Sequence, residues 1–328
     1  MKKRAKLTCA HLLTKEIIPW LEECFDFESV GCMAGKDELI KVLDGVSLLI
    51  MGGAEFIDEE IDDAYPNMKY IFIGIEAATS FAPSVWKKIV SEGRILVTGG
   101  GQEAVAQTTF LQLTFENPRR IQAEMVQNFM VPPSREEILG GQTLVVYGAG
   151  GIGARVLELC KEAFGQVFYT GRREKPELSA RGFKFLPVPE AFEKADALSV
   201  HLELNPETEG IITADLLGLL TGQAFLLNNA RAGLIPRNAL AEFLFREARS
   251  QKMYTDRIPR KVMFDHYYVE GKQFTDLKKA NGGSLRSIIK DFSPQFFEYT
   301  GHTAAFGRIS QEEYSANLRQ IIEAQKLA

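Results

Sequence analysis

Residues 143–160 read TLVVYGAGGIGARVLELC. Strand-forming residues run into Gly148-x-Gly150-x-x-Gly153, and the apolar spacing beyond them is that of a helix. In a strand–turn–helix setting each glycine has its own task. The first permits the tight turn, the second lets backbone approach a pyrophosphate, and the third lets the helix pack on the strand. Gly151, Ile152 and Gly153 supply the opening amides of that helix, whose N-terminus favours an anion. The stretch predicts a dinucleotide-binding α/β domain rather than a structural glycine turn.

Downstream, QVFYT (166–170) is the next strand. An NAD site expects an acidic residue near its end, to hold the ribose hydroxyl. The end here reads Thr170-Gly171-Arg172-Arg173-Glu174-Lys175. No acid stands at the tip, and an arginine there suits the 2′-phosphate of NADP through charge-assisted bonds. The expectation is NADP, with NAD possible. The bland alternatives are a solvated basic loop, or Glu174 displaced into the acid's role. Strands follow at FKFLPV, ALSVHL and AFLLNNA, with helices between them.

Upstream, VSLLIMGG (46–53), MKYIFIG (68–74) and RILVTGGG (94–101) read as buried strands, with a helix at 84–93 closed by Gly93. Such alternation predicts a further α/β unit with a parallel sheet. Residues 104–130 read as one or two helices, and Ser134 with Glu137 as a capping box. The polar stretches 249–263 and 276–295 read as surface insertions around the strand VMFDHYYV. The final helix, ISQEEYSANLRQIIEAQ, reads as capped by Ser310 with Glu313 three residues on.

Composition narrows the function. The chain has 328 residues, 45% apolar and 25% charged, with a net charge of −5. Mild acidity argues against bulk binding to nucleic acid or an anionic membrane. No run approaches the roughly 20 apolar residues of a membrane span. Polar residues interrupt the basic N-terminal stretch where a signal peptide would be apolar, so the cytoplasm is expected. Cys9, Cys24, Cys32 and Cys160 form no CxxC pair and read as inert core residues, and no metal site is expected. Only His11, His201, His266 and His302 could move protons near neutral pH.

From residue 201 the chain reads HLELNPETEGIITADLLGLLTGQAFLLNNARAGLI. Here it resembles the D-isomer-specific 2-hydroxyacid dehydrogenase family. That family carries H-x-x-x-x-P-E-T-x-x-x-I, then an apolar strand ending N-x-x-R-G, then D-x-x-x-x-E and a histidine near the C-terminus. The resemblance covers about 94–328 well and 40–93 faintly. Carried over, the arginine is Arg231, the acidic element runs from Asp265 to Glu270, and the histidine is His302. It implies catalysis by Arg231, Glu270 and His302, with Asp265 near the nicotinamide. The chemistry agrees. A planar guanidinium grips a carboxylate bidentately and polarises a ketone. An imidazolium delivers a proton to the developing alkoxide. A carboxylate beside it keeps it charged. Each residue alone would read as a surface, loop or turn residue; their order is what carries the assignment. His201 either lines the cofactor crevice or is structural, and His266 either lines the pocket or is packed.

The resemblance also implies an architecture: two Rossmann-like domains, a flavodoxin-like substrate domain and an inserted doubly wound NAD(P)-binding domain. The boundaries expected are 1–101 for the first substrate segment, 102–303 for the cofactor domain and 304–328 for a helix returning to the substrate domain. Backbone around Gly74, Ile75 and Glu76 is the expected substrate-carboxylate loop, with Gly99 to Gly101 a second candidate. A homodimer through the cofactor domain is implied. The implied reaction is hydride transfer between a nicotinamide and a small D-2-hydroxy or 2-keto acid of the glyoxylate or hydroxypyruvate type. The chain departs from the family at Ala232, Pro236, Gln107 and Gly301, and its 39-residue spacing from Arg231 to Glu270 is long. Such drift suits the alternative, an NAD(P)-sensing, corepressor-like binding protein with vestigial catalysis.

Overall fold

The computed structural model describes residues 2–8, 13–30, 39–41, 43–51, 57–65, 68–73, 81–97, 101–253, 260–265, 297–299 and 308–324. They fall into two compact units: residues up to 104 together with 308–324, and residues 105–265 together with 297–299.

The first unit is a five-stranded parallel sheet in the order β2-β1-β3-β4-β5. Its strands are β1 (Arg4–Leu7), β2 (Asp26–Ser29), β3 (Val46–Met51), β4 (Tyr70–Ile73) and β5 (Ile95–Val97). This is the flavodoxin-like strand order. The apolar run Leu48–Met51 of β3 follows from burial on both faces. Leu48 and Ile50 pack with Leu21, Tyr314, Leu318 and Ile322, while Leu49 and Met51 pack with Ile61, Val85 and Ile89. Helix Pro83–Ser91 starts on proline, which has no amide to leave unpaired, and ends beside Gly93 at φ +65°. Buried Asp62 binds Lys88 at 2.6 Å and Arg94 at 2.9 Å.

The C-terminal helix corrects one expectation. It runs Arg308–Ala324, so Ser310 lies inside its first turn and is not the cap. Glu313 instead accepts a hydrogen bond of 2.6 Å from the backbone amide of Gly101.

The second unit is a seven-stranded parallel sheet ordered β12-β11-β10-β9-β6-β7-β8. Its strands are β6 (Thr143–Tyr147), β7 (Gln166–Thr170), β8 (Lys184–Phe185), β9 (Ala197–Val200), β10 (Phe225–Asn228), β11 (Lys261–Phe264) and β12 (Phe297–Tyr299). The chain winds outward from β6 to β8, then restarts at β9 on the other side of β6. That reversal is the switch point where doubly wound sheets bind ligands, at their carboxyl ends. Val145, Leu198 and Leu226 fill one face of the sheet and Val146, Ala197 and Leu227 the other.

The helical stretch after residue 101 has three parts: helix Gln102–Leu111, a π-helical turn Gln112–Glu116, and helix Asn117–Gln127 opened by Pro118. Ser134 and Glu137 form the expected reciprocal capping box.

The reading of 249–263 as a surface insertion is overturned where it is described. Helix Arg237–Met253 extends into it, and β11 takes up 261–264. Between them Arg260 is anchored to Glu247, only 2% exposed, with Nε donating to Oε1 at 2.8 Å. Its guanidinium also donates to the Leu220 carbonyl at 3.1 Å and lies over the Phe243 ring. A basic residue that looks solvated in the sequence is thus a tie between a helix and the sheet.

Candidate functional site

The glycine turn sits at the carboxyl end of β6. Gly148 has φ +94°, and a Cβ there would stand 2.8 Å from the His201 carbonyl. Gly150 caps helix Gly151–Cys160. A Cβ on Gly153 would stand 2.1 Å from the Gly148 carbonyl oxygen, so only hydrogen fits. Gly150 differs from both: a Cβ there would meet no atom of the described residues within 4 Å. Among the described residues nothing requires glycine at 150. An open cradle of this kind, beneath the free amides of Gly151, Ile152 and Gly153, suits the close approach of a pyrophosphate.

On one side of the turn lies the loop after β7. Arg172 and Arg173 are exposed there, and Arg172 Nη2 donates to Glu207 Oε2 at 2.7 Å. Glu174 accepts from the Ser179 hydroxyl at 2.8 Å. Lys175, which the sequence reading passed over, reaches the glycine turn itself. Its Nζ donates to the Ala149 carbonyl at 2.7 Å, while its amide donates to the Tyr169 hydroxyl at 2.9 Å. The third cation in Arg172-Arg173-Glu174-Lys175 was the only available signal.

On the other side lies His201, directly after β9. Its Nε2 shares a 2.8 Å hydrogen bond with Ser199 Oγ, while Nδ1 is buried without a partner among the described residues. Burial pushes its pKa down to about 3, so the ring is neutral at physiological pH.

Arg231 follows β10 and is 7% exposed. Asn228 shapes the turn that holds it: Nδ2 donates to the Arg231 carbonyl at 2.9 Å and Oδ1 accepts from the Ala230 amide at 3.1 Å. Arg231 Nη1 in turn donates to the Ala230 carbonyl at 3.0 Å. Asp265 follows β11, is 1% exposed, and donates its amide to the Asn228 carbonyl at 3.0 Å. Gly148, Arg231 and Asp265 therefore all stand at carboxyl ends of one parallel sheet. Ala232, where the family has glycine, keeps a negative φ and packs its methyl group into the core, so the departure strains nothing.

A further polar knot was not anticipated. Asn229 Nδ2 donates to Thr109 Oγ1 at 2.8 Å and to Gln112 Oε1 at 2.6 Å, all three residues being buried. It ties the Arg231 turn to the helical stretch at the π-helical turn. Of the other expected residues, Gly74, Ile75, Glu76, Gly99, His266, Glu270 and His302 lie outside the described residues. Among the described residues, no helix is long and apolar enough to cross a membrane, and no cluster of three His, Cys, Asp or Glu is placed to hold a metal.

The sequence model of the D-isomer specific 2-hydroxyacid dehydrogenase NAD-binding domain matches residues 115–261. A glyoxylate reductase of Aeropyrum pernix is 35% identical over 108 residues, 32% of each chain. The relatives matched at this level are thus spanned over only about a third of their own length. A hydroxypyruvate reductase of Thermotoga maritima is 26% identical over 268 residues, 76% of this chain and 85% of that protein. Among solved structures, the Thermus thermophilus protein TT0316 superposes with a TM-score of 0.72 at 22% identity, covering 98% of this chain and 97% of that one. A D-lactate dehydrogenase from Aquifex aeolicus, solved with NAD and lactic acid, also gives 0.72 at 19% identity, covering 98% and 95%. The two solved structures speak for the fold, and the domain match makes residues 115–261 similar to the NAD-binding domain of the D-isomer specific 2-hydroxyacid dehydrogenases.

Proposed function

We propose that this protein is an NADP-preferring reductase of a small 2-keto acid, of the glyoxylate or hydroxypyruvate type, acting in the cytoplasm. The observation that carries the reading is the shared carboxyl edge: an open glycine cradle after β6, a buried arginine after β10 and a buried aspartate after β11. The names of the glyoxylate and hydroxypyruvate reductases matched here support the substrate class.

In this reading the first unit is the substrate domain and the second binds the cofactor. Gly148, Gly150, Gly151, Ile152 and Gly153 hold the pyrophosphate, His201 and Asp265 line the crevice, and Arg172 with Arg173 receives the 2′-phosphate. When bound, the nicotinamide supplies the hydride. Arg231 binds the substrate carboxylate and polarises the ketone, held in place by the Asn228 turn. His302 gives the proton, Glu270 keeps that histidine charged, and backbone amides around Gly74, Ile75 and Glu76 hold the substrate carboxylate. A homodimer through the second unit is supported by an apolar strip exposed on it: Leu111, Phe115, Val126, Phe129, Met130 and Val131.

The deciding experiment follows NADPH and NADH oxidation across a panel of 2-keto acids. Turnover with glyoxylate or hydroxypyruvate, and a lower Michaelis constant for NADPH, is the expected result. Tight NADPH binding without turnover on any member would overturn the enzymatic reading in favour of a nucleotide sensor. An NADH preference that Arg172→Ala leaves unchanged would overturn the NADP assignment.

A further inference from the structure

The Arg172–Glu207 pair joins two loops that the sheet keeps apart. Arg172 belongs to the loop after β7 and Glu207 to the loop after β9, and β6 lies between those strands. Two strand spacings, roughly 10 Å, separate the loop roots. Yet Arg172 Nη2 and Glu207 Oε2 are 2.7 Å apart. The pair therefore bridges the end of β6, where the glycine turn begins. Glu207 is set by its own loop. The Asn205 side-chain carbonyl accepts from the amides of Glu207 at 2.9 Å and Thr208 at 3.2 Å, and Thr208 Oγ1 accepts from the Asn205 amide at 2.9 Å. Arg172, by contrast, follows Gly171, where a Cβ would meet nothing among the described residues within 4 Å. The backbone that carries Glu207 is thus held by its own loop, and the carboxylate reaches the guanidinium from there.

We propose that Glu207 is a specificity-determining residue of the dinucleotide cleft. It holds Arg172 across the mouth, and a ligand must offer a stronger anion to take the guanidinium from it. The 2′-phosphate of a 2′-phosphorylated adenosine does so; a ribose 2′-hydroxyl does not. Glu207 therefore lowers affinity for the phosphorylated cofactor while leaving the unphosphorylated one nearly untouched. The inference rests on the NADP reading given above. Both side chains are mostly exposed, 78% for Arg172 and 72% for Glu207, so the competition is modest. An exposed pair of this kind converts to roughly a two- to fivefold change in a dissociation constant.

The test measures dissociation constants for NADPH and NADH by fluorescence titration in the wild type, Glu207→Gln and Arg172→Ala, with thermal melts to verify folding. Glu207→Gln is expected to tighten NADPH about two- to fivefold and leave NADH unchanged. Arg172→Ala is expected to weaken NADPH alone. If Arg172→Ala weakens NADPH but Glu207→Gln does not tighten it, the role of Glu207 is overturned and the NADP reading stands. If Arg172→Ala changes neither cofactor, both are overturned.

Discussion

Gly153 lies so close to Gly148 that a Cβ on it would be 2.1 Å from the Gly148 carbonyl oxygen, whereas a Cβ on Gly150, three residues earlier, would meet nothing among the described residues within 4 Å. Stability and ligand binding should therefore separate between two glycines of one motif. Gly153→Ala forces backbone apart and is expected to cost about 1–3 kcal/mol of stability. Gly150→Ala is expected to stay within about 1 kcal/mol of the wild type but to weaken NADPH at least about tenfold. Denaturant unfolding read beside nucleotide titration checks both. Equal stability losses in the two variants would contradict the open cradle.

Arg231 is presented by a turn that Asn228 braces from both ends. Arg231→Lys keeps the charge but loses the planar fork, and kcat/KM should fall roughly a hundred- to thousandfold. Asn228→Ala leaves Arg231 in the chain but unbraced, so kcat should fall while the NADPH dissociation constant changes little. Steady-state kinetics with separate cofactor titration distinguishes this from general unfolding, which would degrade both.

Glu247 and Arg260 form a nearly buried pair. Removing either partner strands a charge or its carbonyl acceptors, and Glu247→Ala is expected to destabilise by about 3–5 kcal/mol. A double variant carrying Glu247→Leu and Arg260→Met should recover much of that loss, because matched apolar replacement removes both desolvation costs. Thermal melts of the three proteins give the comparison; equal loss in the single and double variants would argue against the pair.

His201 makes stability depend on pH in a defined direction. Its pKa in the folded protein is about 3 because the ring is buried, so in the acid range the unfolded chain takes up the proton first. The stability that this neutral ring contributes is complete above about pH 6.5 and is lost progressively as pH falls toward the folded value. Between pH 7 and pH 5 it should amount to about 2 kcal/mol. His201→Asn should unfold with a shallower pH dependence over that interval, as read by denaturant midpoints. An unchanged slope would show that the ring is not the titrating group.

Phe129 is fully exposed and held at φ +57°, beside exposed Met130 and Val131. If this strip is the dimer contact, light scattering should give twice the chain mass for the wild type and a single chain mass for a Phe129→Glu, Val131→Glu double variant. A wild-type monomer would remove the assignment.

Much of this was legible in the chain. The tasks of Gly148 and Gly153 are local, because a turn and a helix packing on its own strand involve residues close in sequence. The strands at 46–51 and 143–147 were legible because burial on both faces leaves a nearly continuous apolar run. The start of the C-terminal helix was misread, because the motif Ser310-x-x-Glu313 satisfies a capping pattern while Glu313 is engaged by the amide of Gly101 instead. Residues 249–263 looked solvated because nothing local marks Arg260 as the partner of Glu247.

The sequence by itself determined the fold class and the dinucleotide fingerprint, since each is written in short-range spacing and residue type. The tertiary structure alone decided which polar groups meet. Arg172 and Glu207 are 35 residues apart, and Asn229 lies 120 residues from Thr109. Neither pairing has a sequence signal, because a hydrogen bond or an ion pair depends on where two side chains finish in space. In a parallel sheet, the strand order sets that position.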